Sequence, residues 1–447
     1  MATSSEEWEA RKLRREEQRA QQKAKQRKMQ ILLLSAVAVL VLCGVLIAMV
    51  ASKSGKSSQD EAVVQTQDVS AQTEQSESSD SSDQAETDQT EQADQTEPTQ
   101  EDTKTKTIHI AAAGDVNVTD KVVASGGVNY VYTDTFMDVA HLLADADVAV
   151  VNLEGNLCGA PYGTNSASAP QGLMDALDKA GVDLVQLANS YSINKGISGL
   201  KQTIDGVRAA GMEPLGVYAD EAAYKEGKGY TICTVEGIKI AFVAFTKGMD
   251  GMALPAGSEN SVNLLYTDYE STYQQINREG IAKVLDAASK ENPDVVIAML
   301  HWGSEYNDTI STSQEGIVKF LKESGVDAII GTHPHYVQKM EFDQETGTFV
   351  AYSLGDLISD AERSGTQYSV ILDLEITKDL RNGNVSITNY SYVPIYTVAE
   401  KENPVRVVRI AEAMFAYDCY FLGRVSSETY TDMQYALERV AARISGE

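Results

Sequence analysis

Basic side chains are in short supply in this chain: 37 Lys and Arg stand against 65 Asp and Glu over 447 residues, a formal net charge of −28. That excludes a nucleic-acid partner, which needs a basic footprint. It also repels polyanions at long range. Any anionic ligand must therefore be captured locally, by a metal ion or a few Lys and Arg. Cysteine is scarce as well. Of four in all, Cys158, Cys233 and Cys419 are widely spaced, and no CxxC pair occurs. A thiolate zinc site and a disulfide framework are thereby excluded. No internal repeat is visible.

What is present divides the chain unevenly. Residues 1–28 form a polar tail whose bases include Arg11, Lys12, Arg14, Arg15 and Lys28. Ile31 to Ala51 is then apolar apart from Ser35, Cys43 and Gly44. About 21 such residues at 1.5 Å rise match a hydrocarbon core of roughly 30 Å. This predicts one transmembrane anchor over 29–52. The competing reading, a cleaved signal peptide, has a shorter apolar core and a shorter leading segment. Bases before the span place the N-terminus in the cytoplasm and everything from Ser52 onward outside the cell. Residues 53–106 are dominated by Ser, Gln, Glu, Asp and Thr, with no aromatic residue, a composition that stays disordered and serves as a linker. The remainder is read as a domain over 107–400 followed by a helical extension over 401–447.

Within the domain, strand-like and helix-like segments alternate. Strands are expected at Thr107–Gly114, Asp147–Glu154, Asp183–Asn189, Asp294–His301 and from Asp327. A hairpin is expected between Tyr230–Val235 and Ile238–Thr246. Helices are expected at Phe136–Ala146, Gln171–Ala180, Ile197–Ala210, Ile276–Lys290 and Gln314–Ser324. Thr348–Leu354, Gln367–Ile376 and Val385–Tyr396 are β-like, and Val405 to Ile444 reads as helical throughout. Alternation followed by antiparallel β predicts a layered α/β domain with two mixed sheets.

The chain has only five histidines, and three of them close apolar runs. His301 ends the run from Asp294, while His333 and His335 end the run from Asp327. Ligands in open α/β sheets bind beyond the carboxyl ends of strands. Asp115 with Asn117, Asn152 with Glu154, and Asn189 with Ser190 stand at comparable positions. Carboxylate, amide and imidazole together suit hard or borderline divalent cations such as Mn²⁺, Mg²⁺, Fe²⁺ or Zn²⁺. A carboxylate shared by two of them would build a two-metal hydrolytic centre.

Five segments then carry a resemblance. They are Ala113-Gly114-Asp115, Val151-Asn152-Leu153-Glu154, His301-Trp302-Gly303-Ser304-Glu305-Tyr306, Gly331-Thr332-His333-Pro334-His335-Tyr336-Val337-Gln338 and Tyr352-Ser353-Leu354-Gly355-Asp356. As a set the chain resembles the CapA-like poly-γ-glutamate capsule synthesis family, within the calcineurin-like metallophosphoesterase superfamily. The resemblance implies a four-layer sandwich, two mixed β-sheets flanked by helices. It implies metal ligands Asp115, Glu154, His301, His333 and His335. Asp115, His333 and His335 would bracket one cation, Glu154 would bridge, and His301 would bind a second. Catalytic roles fall on His301, His333, Glu154 and Asn189. The implied partners are a cell-surface polymer or its synthesis machinery.

The chain departs from the family pattern at Ala188-Asn189-Ser190-Tyr191-Ser192-Ile193-Asn194-Lys195-Gly196. There the family has Ala-Asn-Asn-His-x-x-Asp-x-Gly. Ser190 replaces an amide ligand, Tyr191 a histidine acting on the leaving group, and Asn194 its acidic partner. Tyr, with a free pKa near ~10, is a poorer acid at neutral pH than His near ~6.5. Three functions stay open: support of an anionic surface polymer, another phosphoester hydrolysis, and a non-catalytic scaffold on the same fold. Glu305 is read as an orienting partner of His301 or a surface carboxylate. Trp302 is read as packing or as stacking on substrate. Asp356, at a strand end near the site where the family has Asn, is read as a turn residue or as an aid to metal or substrate binding, while His109 and His141 match no motif.

Overall fold

The computed structural model describes residues 104–400 and 404–447. The expected tail, membrane span and nearly all of the linker lie outside them. Among the described residues no helix is long and apolar enough to cross a membrane.

Two mixed sheets face each other. In the first, β1 (Thr105–Asn117), β2 (Val148–Glu154), β3 (Leu184–Gln186) and β4 (Glu213–Leu215) run parallel in that order. In the second, β5 (Tyr230–Val235) pairs antiparallel with β6 (Ile238–Thr246). Parallel neighbours β7 (Val295–His301) and β8 (Ala328–Thr332) follow, and β9 (Met340–Asp343) and β10 (Thr348–Ala351) complete the sheet in the order β5-β6-β7-β8-β10-β9. The first sheet is finished by β11 (Asp356–Ile358), parallel to β1, and by antiparallel β12 (Tyr368–Asp379), β13 (Val385–Val398) and β14 (Arg406–Arg409).

Alternation along strands produces the layers, because successive side chains point to opposite faces. Ile108, Ile110 and Ala112 of β1 meet Ile240, Phe242, Ile297 and Met299 of the second sheet in one buried cluster. Ala111, Ala113, Ala149 and Val151 face the other way. There they are covered by α1 (Asp120–Ser125), α2 (Ala140–Ala144), α3 (Gln171–Ala180) and α4 (Gly196–Ala209) through Val122, Leu143, Leu173, Leu177, Leu200 and Ile204. A short α5 (Glu221–Gly227) precedes β5. On the outer face of the second sheet, Val243 and Phe245 pack with Ile281 and Leu285 of α6 (Arg278–Ser289) and Ile317 and Leu321 of α7 (Thr312–Glu323). Helix α7 starts at a capping box. Ser311 Oγ accepts from the Gln314 amide, and Gln314 Oε1 accepts from that of Ser311, satisfying two otherwise orphan donors.

The long elements lie where the hydrophobic period places them, and the hairpin and α3 match residue for residue. Differences fall on short pieces. Strand β3 stops at Gln186, where the chain enters a turn in which the single Ser192 hydroxyl proton is shared by the Leu187 and Asn189 carbonyls and Ser192 Oγ accepts from the Asn189 amide. The expected helix at 136–146 shrinks to α2. The stretch from Val405 is not helical throughout. Arg406–Arg409 extends the sheet, with Val407 buried on its outer face and Val408 on its inner face. Helices α8 (Ile410–Asp418) and α9 (Ser427–Ser445) then place Ile410, Met433, Ala436, Val440 and Ile444 in the inter-sheet core.

One glycine fixes how the site strands meet. A Cβ on Gly114 would lie 1.7 Å from Gly355 O, the acceptor of the Asp115 amide at 3.0 Å. Gly114→Ala is therefore expected to push β1 from β11 at a cost of about 1–3 kcal/mol or more. Thermal unfolding should show it as a clearly lower Tm; an unchanged Tm would mean this contact is soft.

Candidate metal centre

The centre forms where the strands run out. On β2, Val148 and Val150 face the inter-sheet core, so Asn152 and Glu154 continue on that face. On β1 the parity would turn Asp115 away. The pairing Ala112↔Val150 is followed by Asp115↔Asn152, one residue more on β1 than on β2. This bulge swings Asp115 onto the face of Glu154, as bulges beside functional sites do. In the opposite sheet His301 continues the inward row of Ile297 and Met299, in register with Thr332. Beyond β8, His333 and His335 adopt positive φ, +94° and +59°. Such backbone costs on the order of 1–3 kcal/mol in a side chain other than glycine. Here the His333 amide donates to Asp115 Oδ2 at 3.0 Å, tying the turn to the first sheet.

Six donors converge as two triplets. Glu154, His301 and His333 form one, and Asp115, His335 and Asp356 the other, with the ligand atoms of each within 4.8 Å of one another. All six residues are buried. Glu154 reaches both groups. Its Oε1 lies 3.2 Å from His301 Nε2 and 3.9 Å from His333 Nδ1, and its Oε2 lies 3.6 Å from His335 Nε2. His335 Nδ1 is 2.8 Å from Asp356 Oδ1 and 3.8 Å from Asp115 Oδ2. Behind them, Asn152 Nδ2 donates to Asp115 Oδ1 at 2.7 Å, and Thr332 Oγ1 stands 3.3 Å from His301 Nδ1.

Electrostatics follow from burial of like charges. Burial pushes the Asp115 carboxyl up to about 7, with Asp356 adding to the rise. Burial and Asp115 push Glu154 well above its ordinary range, and burial raises Asp356. Burial holds His301 and His333 well below 6.5, which keeps their ring nitrogens neutral and available. For His335 burial acts downward, but Asp356 and Glu154 outweigh it and the pKa rises. Crowded carboxylates beside neutral imidazoles form a donor set completed by cations. The buried His333 Nδ1 has no hydrogen-bond partner. Its other nitrogen lies 3.0 Å from Lys247 Nζ, itself bonded to Gly303 O. The free nitrogen thus points at Glu154, and the residues fit divalent metal.

Asp115, Glu154, His301, His333 and His335 all meet in this cleft, but His333 groups with Glu154 and His301 rather than with Asp115 and His335. Asn189 stands behind it. Its Nδ2 donates to Asn152 Oδ1 and Leu153 O and its Oδ1 accepts from the Tyr191 amide, so its amide group holds the end of β2. Ser190 does face the centre, with Oγ 3.2 Å from His301 Nε2. Tyr191 keeps its proton because burial and then Glu154 raise its pKa. Glu305 is exposed, and Thr332 takes the place beside His301. Trp302 is fully buried and donates to Tyr352 O. Lys247 escapes the sequence reading, and Asp356 proves to be a candidate metal donor rather than a mere turn residue. Asp356 belongs to a three-residue strand and reaches the centre through its register with Asp115. Lys247 directly follows the apolar β6, the same strand-end signal that marked His301.

Residues 109–361 match the family model described as "Bacterial capsule synthesis protein PGA_cap", more than half of the chain. The chain belongs to this family. The resemblance read from its motifs is thereby confirmed, and the PGA_cap match ends just beyond Asp356 and short of β12, β13, β14 and the last two helices. Among named relatives, the capsule biosynthesis protein CapA of Bacillus anthracis is 29% identical over 209 residues, 47% of this chain and 48% of that protein. The PGA biosynthesis protein CapA of Bacillus subtilis (strain 168) is 26% identical over 192 residues, 43% and 46% of the two chains. The chain thus spans about half the length of the curated relatives it matches. Among solved structures, a calcineurin-like phosphoesterase from Bacillus subtilis overlaps with a TM-score of 0.41 and 16% identity, covering 75% of this chain and 99% of that one.

Proposed function

We propose that this PGA_cap protein supports the synthesis, attachment or export of an anionic surface polymer of the poly-γ-glutamate type, through a two-cation hydrolytic centre. In this reading an N-terminal anchor over 29–52 and the acidic linker hold the centre outside the cell membrane, beside the synthesis machinery. The observation that carries it is Glu154, a member of one donor triplet, reaching His335 of the other. Glu154, His301 and His333 would hold one cation, and Asp115, His335 and Asp356 the other. Mixed imidazole and carboxylate donors suit Mn²⁺, Fe²⁺ or Zn²⁺ more than Mg²⁺. The chemistry such ions supply is water activation and charge stabilisation at an acyl or phosphoryl centre. This chain's own contribution is to keep His301 and His333 neutral, to hold Asp115 with Asn152 and the His333 amide, and to orient His333 with Lys247.

Elemental analysis of the purified full chain should find about two equivalents of divalent transition metal. His333→Ala should retain one or fewer and fail to restore surface polymer to cells lacking the gene. No bound metal in the parent, or full restoration by His333→Ala, would overturn the proposal.

A second reading is favoured by Ser190 and Tyr191. All three imidazoles of the cleft serve as donors, and Tyr191 holds its proton. A centre without a proton donor for the leaving group fits a scaffold that binds polymer without cleaving it.

A further inference from the structure

We propose that Arg363, stacked on Tyr306, is where the centre reads a second anionic group of an oligoanionic ligand. This deepens the function proposed above and rests on it for the nature of the ligand. The Tyr306 ring stacks on His335 with centroids 5.0 Å apart and planes 23° apart. On Tyr306 in turn lies the Arg363 guanidinium, 3.8 Å from the ring centroid. The column therefore begins at a donor of the second triplet and ends on an exposed cation.

Tyr306 is fixed in this place. Its φ is +56°, its amide donates to Pro334 O at 2.9 Å, and its ring meets Tyr336 edge-on at 6.3 Å. Two residues on, Asp308 is gripped by Arg439 and Arg443 of α9. Neighbouring bases are similarly spent: Lys121 pairs with Glu362, Lys339 with Glu341, and Lys247 is committed to Gly303 O and His333. Arg363 forms no ion pair among the described residues, although the chain carries 65 acidic side chains. A guanidinium laid on an aromatic ring keeps its in-plane N–H groups free for a carboxylate or phosphate, and the stack restricts its motion beforehand. Acidic surroundings turn away stray anions at long range. A ligand that satisfies the centre and Arg363 together gains by effective concentration, and a single anion does not.

The test is titration of the metal-loaded full chain with a short γ-glutamate oligomer and, separately, with tripolyphosphate and inorganic phosphate. Arg363→Ala should weaken oligoanion binding about tenfold while leaving metal content and inorganic phosphate binding unchanged. Arg363→Lys should recover only part of the loss, since an ammonium lacks the flat face. Tyr306→Leu should imitate Arg363→Ala. If tripolyphosphate alone is bound, with the same dependence on Arg363, the subsite stands and the polymer reading of the function fails. Equal oligoanion affinity in Arg363→Ala and parent, or no oligoanion binding by the parent, overturns the subsite.

Discussion

Glu154→Gln is expected to lose cation binding by about 10²-fold or more and, in a chelator at pH 8, to unfold at a higher temperature than the parent. Both effects come from one carboxylate. Replacing residues that merely support a ligand costs about 10–100-fold in metal affinity, and Glu154 contacts three imidazoles at once. Without cations, its charge sits in a buried cleft beside Asp115, which raises its pKa well above 4.5. A carboxyl whose folded pKa is raised carries no penalty below its unfolded pKa, where both states are protonated. As pH climbs from there through the folded pKa, the unfolded chain releases the proton more readily and the fold is destabilised. Gln has no such proton. The variant's advantage in chelator should therefore be largest at pH 8 and fade toward pH 4. Saturating Mn²⁺ should reverse the order, since cations at ~100 times their Kd stabilise the parent by about 2.7 kcal/mol. Melting curves at both pH values, with and without Mn²⁺, check all four cases. A variant that still binds two equivalents, or melts with the parent in chelator at pH 8, would refute the bridging role.

The paired change Ser190→Asn with Tyr191→His is expected to raise hydrolysis of an aryl phosphate ester by about 10²–10⁴-fold in the presence of Mn²⁺, the usual worth of a positioned acid. Ser190 Oγ already lies 3.2 Å from His301 Nε2, so an amide oxygen grown from that position would enter the donor set. A histidine at 191 would hold a proton exchangeable near pH 6.5, where the present phenol holds on to its own. Adding His333→Ala should abolish the gain, which ties it to the cations. If the rate does not move while metal content stays at the parental level, the centre is a binding device and the scaffold reading replaces hydrolysis.

Much of this architecture is legible without coordinates, and the reason is physical. Buried parallel strands are apolar until they reach the sheet edge, so His301 announces itself directly after Ile297–Leu300, and His333 and His335 close behind Ala328–Ile330, after Gly331 and Thr332. Asp115 and Glu154 are visible by the same break. What stayed hidden depends on register. Asp115 faces the cleft only because of the extra residue on β1, and nothing in Ala-Ala-Ala-Gly-Asp reveals a bulge. Asp356 is brought in by pairing with Asp115 across a strand too short to show a period. Tyr306 and Arg363 stand on separate loops and meet only in space. The short strand at Arg406–Arg409 is lost because four residues running straight into the helix at Ile410 show no alternation of their own.

Helix α9 carries a consequence for biogenesis. Met433, Ala436, Val440 and Ile444 pack on β12 and β13 and complete the same buried cluster that holds Ile108 and Ile110 from the start of the domain. A nascent chain that has exposed every donor of the cleft still lacks the piece that seals the gap between its sheets. The core between the sheets is therefore complete only once translation has passed residue 445, and until then the polypeptide exposes apolar surface and remains a client for whatever keeps unfinished chains apart.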